Sequence, residues 1–201
     1  MKTFSLAALA LIAVAAFGCA NNAGEGDDMA TAAGEVNATA PITIGNWLTH
    51  PKIVAVRDIV NAIDASEYAS ESKTELCQDS GHGESERTKL TDENGVIREL
   101  VLSSGSEDSA QIESHYYDAN GKLRFIFTTR NDVHGNSNEL RTYFDETGAR
   151  IWDVRRHAFS ATFNPDLEHA KYEPVAAEER SKIDPTVFTP AARYDAPEQC
   201  D

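Results

Sequence analysis

One tetrapeptide, recurring three times at nearly constant spacing, limits what this chain can fold into more than any other feature. The copies are Asp92-Glu93-Asn94-Gly95, Asp118-Ala119-Asn120-Gly121 and Asp145-Glu146-Thr147-Gly148. An aspartate at the first position accepts hydrogen bonds from the backbone just ahead of it, and the glycine enters the left-handed region without a steric penalty. Each copy therefore predicts a type I turn with a glycine bulge, closing a β-hairpin. The flanking segments alternate with period two, so three hairpins predict six strands over 84–91, 96–102, 111–117, 122–130, 138–144 and 149–157.

Counting from each glycine, the second, fourth and sixth residues are Ile97, Glu99, Val101, then Leu123, Phe125, Phe127, then Arg150, Trp152, Val154. This mostly apolar set predicts one covered face. The intervening set, with Arg98, Lys122, Arg124, Asp153 and Arg155, predicts a wet face on which Leu100, Ile126 and Ile151 are partly covered exceptions. His115 falls mid-strand, opposite Phe125 by this count, and reads as a packed histidine. Tyr116, Tyr117 and Tyr143 read as sheet residues packed in place.

Upstream the period changes. Ile53, Val56, Ile59, Val60 and Ile63 recur at helical spacing after Thr49-His50-Pro51, where a capping hydroxyl and a proline in the first turn suit a helix start. The expected fold is α+β: an antiparallel β-meander of about six strands with one N-terminal amphipathic helix packed on one face. Downstream, Pro165 and Pro174 interrupt a polar tail. Within it, 173–182 reads as a short exposed helix and 184–197 as an extended, proline-punctuated wrap.

The first eighteen residues read as a separate targeting segment. Lys2 precedes an apolar run from Phe4 to Phe17, the length of a secretory core rather than a membrane span. The run ends in Ala16-Phe17-Gly18-Cys19, which resembles the lipobox of bacterial lipoproteins, with Ala16 where that motif usually carries Leu, Val or Ile. The resemblance implies that Cys19 becomes the acylated first residue. It also implies, through Ala20, sorting to the outer membrane of a two-membrane bacterium. Gly18-Cys19-Ala20 read instead as an ordinary small-x-small cleavage site would discard the cysteine; either way the chain is expected to be exported. The stretch 19–40, rich in Ala, Gly, Asn and acids, reads as a flexible tether, and 41–201 as a single domain.

Charge narrows the partners. With 18 Lys+Arg against 33 Asp+Glu the formal net charge is −15, which excludes a nucleic-acid binder built on a basic groove. A lipid, not charge, is expected to hold such a chain to a membrane, while a divalent cation or a basic protein suits its surface. Beyond Cys19 only Cys77 and Cys200 remain, and two cysteines in an oxidising compartment predict one disulfide.

The sequence Tyr117-Asp118-Ala119-Asn120-Gly121-Lys122-Leu123, with Tyr143-Phe144-Asp145-Glu146-Thr147-Gly148, resembles the YD-type hairpin repeats of large bacterial surface shells. The whole of 84–157 resembles uncharacterised bacterial lipoproteins with such hairpins. The resemblance supports the hairpins and implies no catalytic motif or cofactor.

Antiparallel pairing places the three turns at one end of the sheet and the connections between hairpins at the other. That second rim is expected to collect longer loops carrying His82, Glu84, Glu107, Asp108, Asp132, His134 and His157, the candidate binding residues. No HExxH pattern, G-x-S-x-G elbow or phosphate-cradling loop occurs. The favoured expectation is a non-enzymatic cell-envelope lipoprotein whose sheet and loops bind a protein, glycan or envelope component, one version being an inhibitor of a basic enzyme. The alternative is a small metal-binding or metal-dependent enzyme using His82, His134 and His157.

Overall fold

The structure is a computed structural model, and it describes residues 37–76, 84–159, 171–175 and 190–195. Element order is α1 (Pro51–Asp64), β1 (Ala69–Leu76), β2 (Glu84–Thr91), β3 (Ile97–Gly105), β4 (Ser109–Tyr117), β5 (Leu123–Asp132), β6 (Asn136–Phe144), β7 (Arg150–Phe159), β8 (Glu173–Pro174) and α2 (Pro190–Asp195). The eight strands form one antiparallel sheet in chain order.

The meander is therefore as expected, but it has two more strands than the repeat predicts. Strand β1, Ala-Ser-Glu-Ser-Lys-Thr-Glu-Leu, has no apolar alternation because it is an edge strand with mostly polar side chains on both faces. The segment expected to be helical from residue 173 instead begins as β8, which pairs Pro174 with Val154 and Glu173 with Arg155 of β7. Part of the expected extended tail is helical. Pro190 stands at the start of α2, where a missing N–H costs nothing, and two alanines follow.

Each tetrapeptide does close a tight turn. Asp92 Oδ1 accepts from the N–H groups of Asn94 (3.0 Å) and Val96 (2.9 Å), and Asp118 and Asp145 repeat the pattern. Gly95, Gly121 and Gly148 adopt φ of 80°, 73° and 88°. A methyl group added at Gly148 would meet nothing within 4 Å, so Gly148→Ala isolates the backbone cost of the left-handed position. The expected loss is about 1–2 kcal/mol, read as a lower urea midpoint at unchanged slope. An unchanged midpoint would show that this turn relaxes freely.

Just past each turn the pairing register slips by one residue, between Leu90 and Thr91, Tyr116 and Tyr117, and Tyr143 and Phe144. The extra residues are Arg98, Arg124 and Ile151. A bulge turns the side chains before it to the opposite face, so strict alternation from the glycine fails at its first step. Leu123 lies with the core opposite to that of Phe125, and Ile97 packs there too.

Both faces are consequently covered. On one, the predicted helix stripe packs as expected: Ile53, Val56 and Ile63 are buried and Ile59 and Val60 half-buried. They meet Trp47, Tyr116, Phe125, Tyr143 and Val154, with ring centroids 5.7 Å apart for Tyr116 and Phe125 and 4.8 Å for Phe125 and Tyr143. On the other face, expected to be wet, Leu100, Tyr117, Leu123, Ile126 and Phe144 form a second core closed by Tyr194 of α2. Leu100 and Ile126 are thus core residues, not exceptions.

The helix cap also differs from expectation. The His50 imidazole, not a hydroxyl, accepts the Lys52 N–H through Nδ1 (3.3 Å), while its Nε2 reaches the Ala40 carbonyl (3.1 Å). A carbonyl only accepts, so the proton belongs on Nε2. Thr49 Oγ1 turns away to donate to the Asn46 carbonyl.

Candidate functional site

The rim opposite the three expected turns is built from tight turns rather than long loops. Ser103 to Gly105 belong to β3, and Asn131 and Asp132 to β5, leaving only 106–108 and 133–135 as connections. The reason lies in the sequence. Asp132-Val133-His134-Gly135 is a fourth Asp-x-x-Gly, with Gly135 at φ 81° and Asp132 Oδ1 accepting from the N–H groups of His134 (2.9 Å) and Asn136 (3.0 Å). The tetrapeptide thus marks a reversal, not an end of the sheet. At the neighbouring turn, a Cβ on Gly105 would lie 2.7 Å from the Ser109 carbonyl oxygen, so glycine is required by close approach.

The two turns touch. Val133 N–H donates to the Asp108 carbonyl (3.0 Å), tying β3–β4 to β5–β6. The result is a joined surface on which Val133 (59% exposed) stands among exposed Glu107, Asp108 and His134, while Ile112 (43% exposed) lies farther along β4, opposite Thr129. Asp132 is occupied with its own turn. The Asn136 side-chain amide (2.6 Å), followed by the turn N–H groups, holds its carboxyl below the usual range despite some desolvation.

The remaining candidates are not all drawn together. His157 lies on β7 opposite Asn138 of β6, and its Nδ1 is bonded to the Asn138 side-chain oxygen. Glu84 is the first residue of β2. His82, Cys19, Cys77 and Cys200 lie outside the described residues. Among the described residues no three His, Cys, Asp or Glu groups are placed to hold a metal ion.

A polar chain that residue spacing did not single out runs beneath α2. Glu113 accepts from His115 Nε2, from Arg193 Nη2 (3.1 Å) and from Thr128 Oγ1 (3.5 Å), and Tyr117 Oη lies 3.5 Å from His115 Nδ1. Since a carboxylate only accepts, His115 donates through Nε2 and leaves Nδ1 to receive the tyrosine hydroxyl. His115 faces Ile126, not Phe125, because the bulge shifts the count by one. Burial pushes the Glu113 carboxyl up, but the hydrogen bond from His115 and the charge and hydrogen bond of Arg193 outweigh it and leave it below its usual value. Burial raises the Tyr117 phenol well above its usual range. Beside this chain lies a cavity of about 30 Å³ lined by Glu113, Ile126, Thr128, Thr142, Phe144 and Arg150 among others. That is room for a water molecule, not for an organic substrate.

On the helix face Tyr116 Oη meets two carboxyls, Asp64 at the end of α1 and Glu99 on β3. Desolvation raises both, and Asp64 adds repulsion at Glu99. Both carboxyls thus stand near one phenol, with Asp64 at the C-terminus of α1, where negative charge is disfavoured.

The missed partners share a legible signal. Arg98 and Arg124 follow Asp92 and Asp118 by six positions, and each guanidinium reaches back to that aspartate (3.5 and 3.6 Å) while its Nε donates to the next strand, at Tyr117 O and Phe144 O. The repeat is thus Asp-x-x-Gly-x-x-Arg in two copies, an arginine clamping its own turn. Arg193 and Tyr194 had no such signal, lying in a stretch that read as extended.

Among the described residues no helix is long and apolar enough to cross a membrane. No protein-family model, curated protein or solved structure matches the chain.

Proposed function

We propose that this is a non-enzymatic exported protein, held in the cell envelope by a lipid on Cys19, whose sheet presents its joined rim turns to a basic protein of the envelope. The observation that carries this reading is the rim itself: the bond from Val133 N–H to the Asp108 carbonyl fixes two turns so that Val133 stands exposed beside Glu107 and Asp108. An apolar anchor beside acids suits a cationic partner, because the anchor supplies contact energy and the charge speeds encounter. The acidic balance of the whole chain favours the same partners. The likeness to YD-type hairpin repeats fits a display role, and an inhibitor of a basic envelope-attacking enzyme is its most specific form.

The test is capture from envelope extract on immobilised protein. A basic partner is expected to be retained by the wild type and by Lys122→Ala at the opposite end of the sheet, and lost with Val133→Asp or Asp108→Lys. Equal retention by all four proteins would overturn the rim as the binding surface. Processing and acylation at Cys19 are read separately, from the mass of the N-terminal peptide.

A further inference from the structure

The largest exposed apolar residues away from the rim sit together at the start of the helix. Ile44 and Leu48 are 44% and 55% exposed, and Val54 is 37% exposed. The turn that Trp47 N–H closes on the Thr43 carbonyl (2.9 Å), and the one that Thr49 N–H closes on the Asn46 carbonyl (3.0 Å), carry Ile44 and Leu48. Arg57 Nη1 donates to the Leu48 carbonyl (3.0 Å), which brings Leu48 to the helix face that Val54 and Arg57 share. Lys52 and Arg57 are both exposed, Arg57 on the face of Val54 and Lys52 at the start of the helix, with Asp58 exposed nearby and Asp145 within electrostatic reach of Lys52.

We propose that Ile44, Leu48 and Val54, with Lys52 and Arg57 beside them, rest on the lipid surface of the membrane that carries the anchor. The choice of occupant rests on the lipid-anchor reading and on two further observations. The first is charge: in so acidic a chain, two exposed cations stand in the first two turns of α1, the end of the helix that carries this apolar group, and at physiological salt only charges within about 8 Å of the lipid headgroups count. Apolar contact with adjacent Lys and Arg is the chemistry of interfacial binding to anionic lipid.

The second is position along the chain. Ile44 follows Cys19 by 25 positions, a contour of at most about 90 Å. A domain on so long a leash has no preferred orientation unless a second contact supplies one. The patch is the part of the folded body nearest the anchor in sequence, so even a weak contact is raised by its high effective concentration at the membrane. Lys52 acts electrostatically on Asp145 and Arg57 on Tyr143. The patch therefore lies toward the β6–β7 turn, at the end of the sheet opposite Val133. Resting there would hold the rim away from the lipid.

The compact unit Glu35–Asp201 lacks Cys19, so vesicle binding by it tests this contact whether or not Cys19 is acylated. Flotation would use phosphatidylcholine vesicles with and without about a third phosphatidylglycerol. The wild-type unit is expected to float with the anionic vesicles and less with the neutral ones. Leu48→Asp and Val54→Asp are expected to reduce flotation about tenfold, and Lys52→Ala to remove the preference for anionic lipid. Val133→Asp, an equally polar change at the far rim, is expected to leave both unchanged. Near-ultraviolet circular dichroism of each variant confirms folding. No flotation of the wild type at low salt, an equal loss with Val133→Asp, or equal binding to both vesicle types would overturn the proposal.

Discussion

Tyr143→Ala is expected to destabilise the fold by about 3–5 kcal/mol, a large fraction of the about 5–15 kcal/mol that holds a typical domain. Tyr143 is 1% exposed and stands at the centre of the aromatic column, with Phe125 at 4.8 Å and Trp47 at 6.2 Å between ring centroids. Trp47 precedes α1, so removing the Tyr143 ring leaves a cavity where the helix segment meets the sheet. Tyr143→Phe keeps the ring and is expected to stay within about 1 kcal/mol of wild type. Urea unfolding followed by tryptophan fluorescence distinguishes the two. A loss for Tyr143→Ala no larger than for Tyr143→Phe would mean that the helix is held elsewhere.

Glu113→Gln is expected to cost about 2–4 kcal/mol at neutral pH, because it leaves the Arg193 guanidinium without its charge partner and forces a donor toward His115 or Thr128. The pH dependence carries the sharper signature. The Glu113 carboxyl is held below its ordinary value of 4.5 in the folded state. Its contribution is therefore fully present above about pH 4.5 and is lost as pH falls through the lowered folded value. The gap between wild type and Glu113→Gln should narrow below about pH 4.5. Asp132, Asp145 and Glu139 are lowered too and Asp64 and Glu99 raised, so only the difference between the two proteins isolates this group. A gap that stayed constant down to pH 3 would mean that the carboxylate charge does not matter there.

Much of the architecture was legible because it is local. An Asp-x-x-Gly turn is decided by four or five residues, and the helix stripe from Ile53 to Ile63 by one period, so the hairpins and the covered helix face follow from composition and spacing. Strand β1 was not legible, because Ser70, Glu71, Ser72, Lys73 and Thr74 need bury nothing at an edge. The face of Ile97 and Leu123 was misread because the bulges at Arg98 and Arg124 depend on pairing with the next strand, which periodicity in one strand does not report. The second core depends on Tyr194, whose ring reaches Lys73 and Lys89 at 4.2 Å each and whose hydroxyl donates to Glu71 (3.2 Å) across more than a hundred positions of chain. Of the candidate site, Glu107, Asp108 and His134 were placed at the correct rim by topology. The fourth turn at Asp132 and the direct link to Val133 were visible only once both connections were seen to be short.

Every pairing in this sheet joins two strands that are consecutive in the chain. In such a ladder each pairing closes only the chain between neighbouring strands, so loop-closure entropy is met in small steps and assembly can proceed like a zipper. Because successive Asp-x-x-Gly turns at one end bracket two strands, excising or copying one such unit would leave every other pairing intact. The domain's width is then a countable variable, open to change by duplication, while the pieces that cap it, α1 and α2, stay where they are.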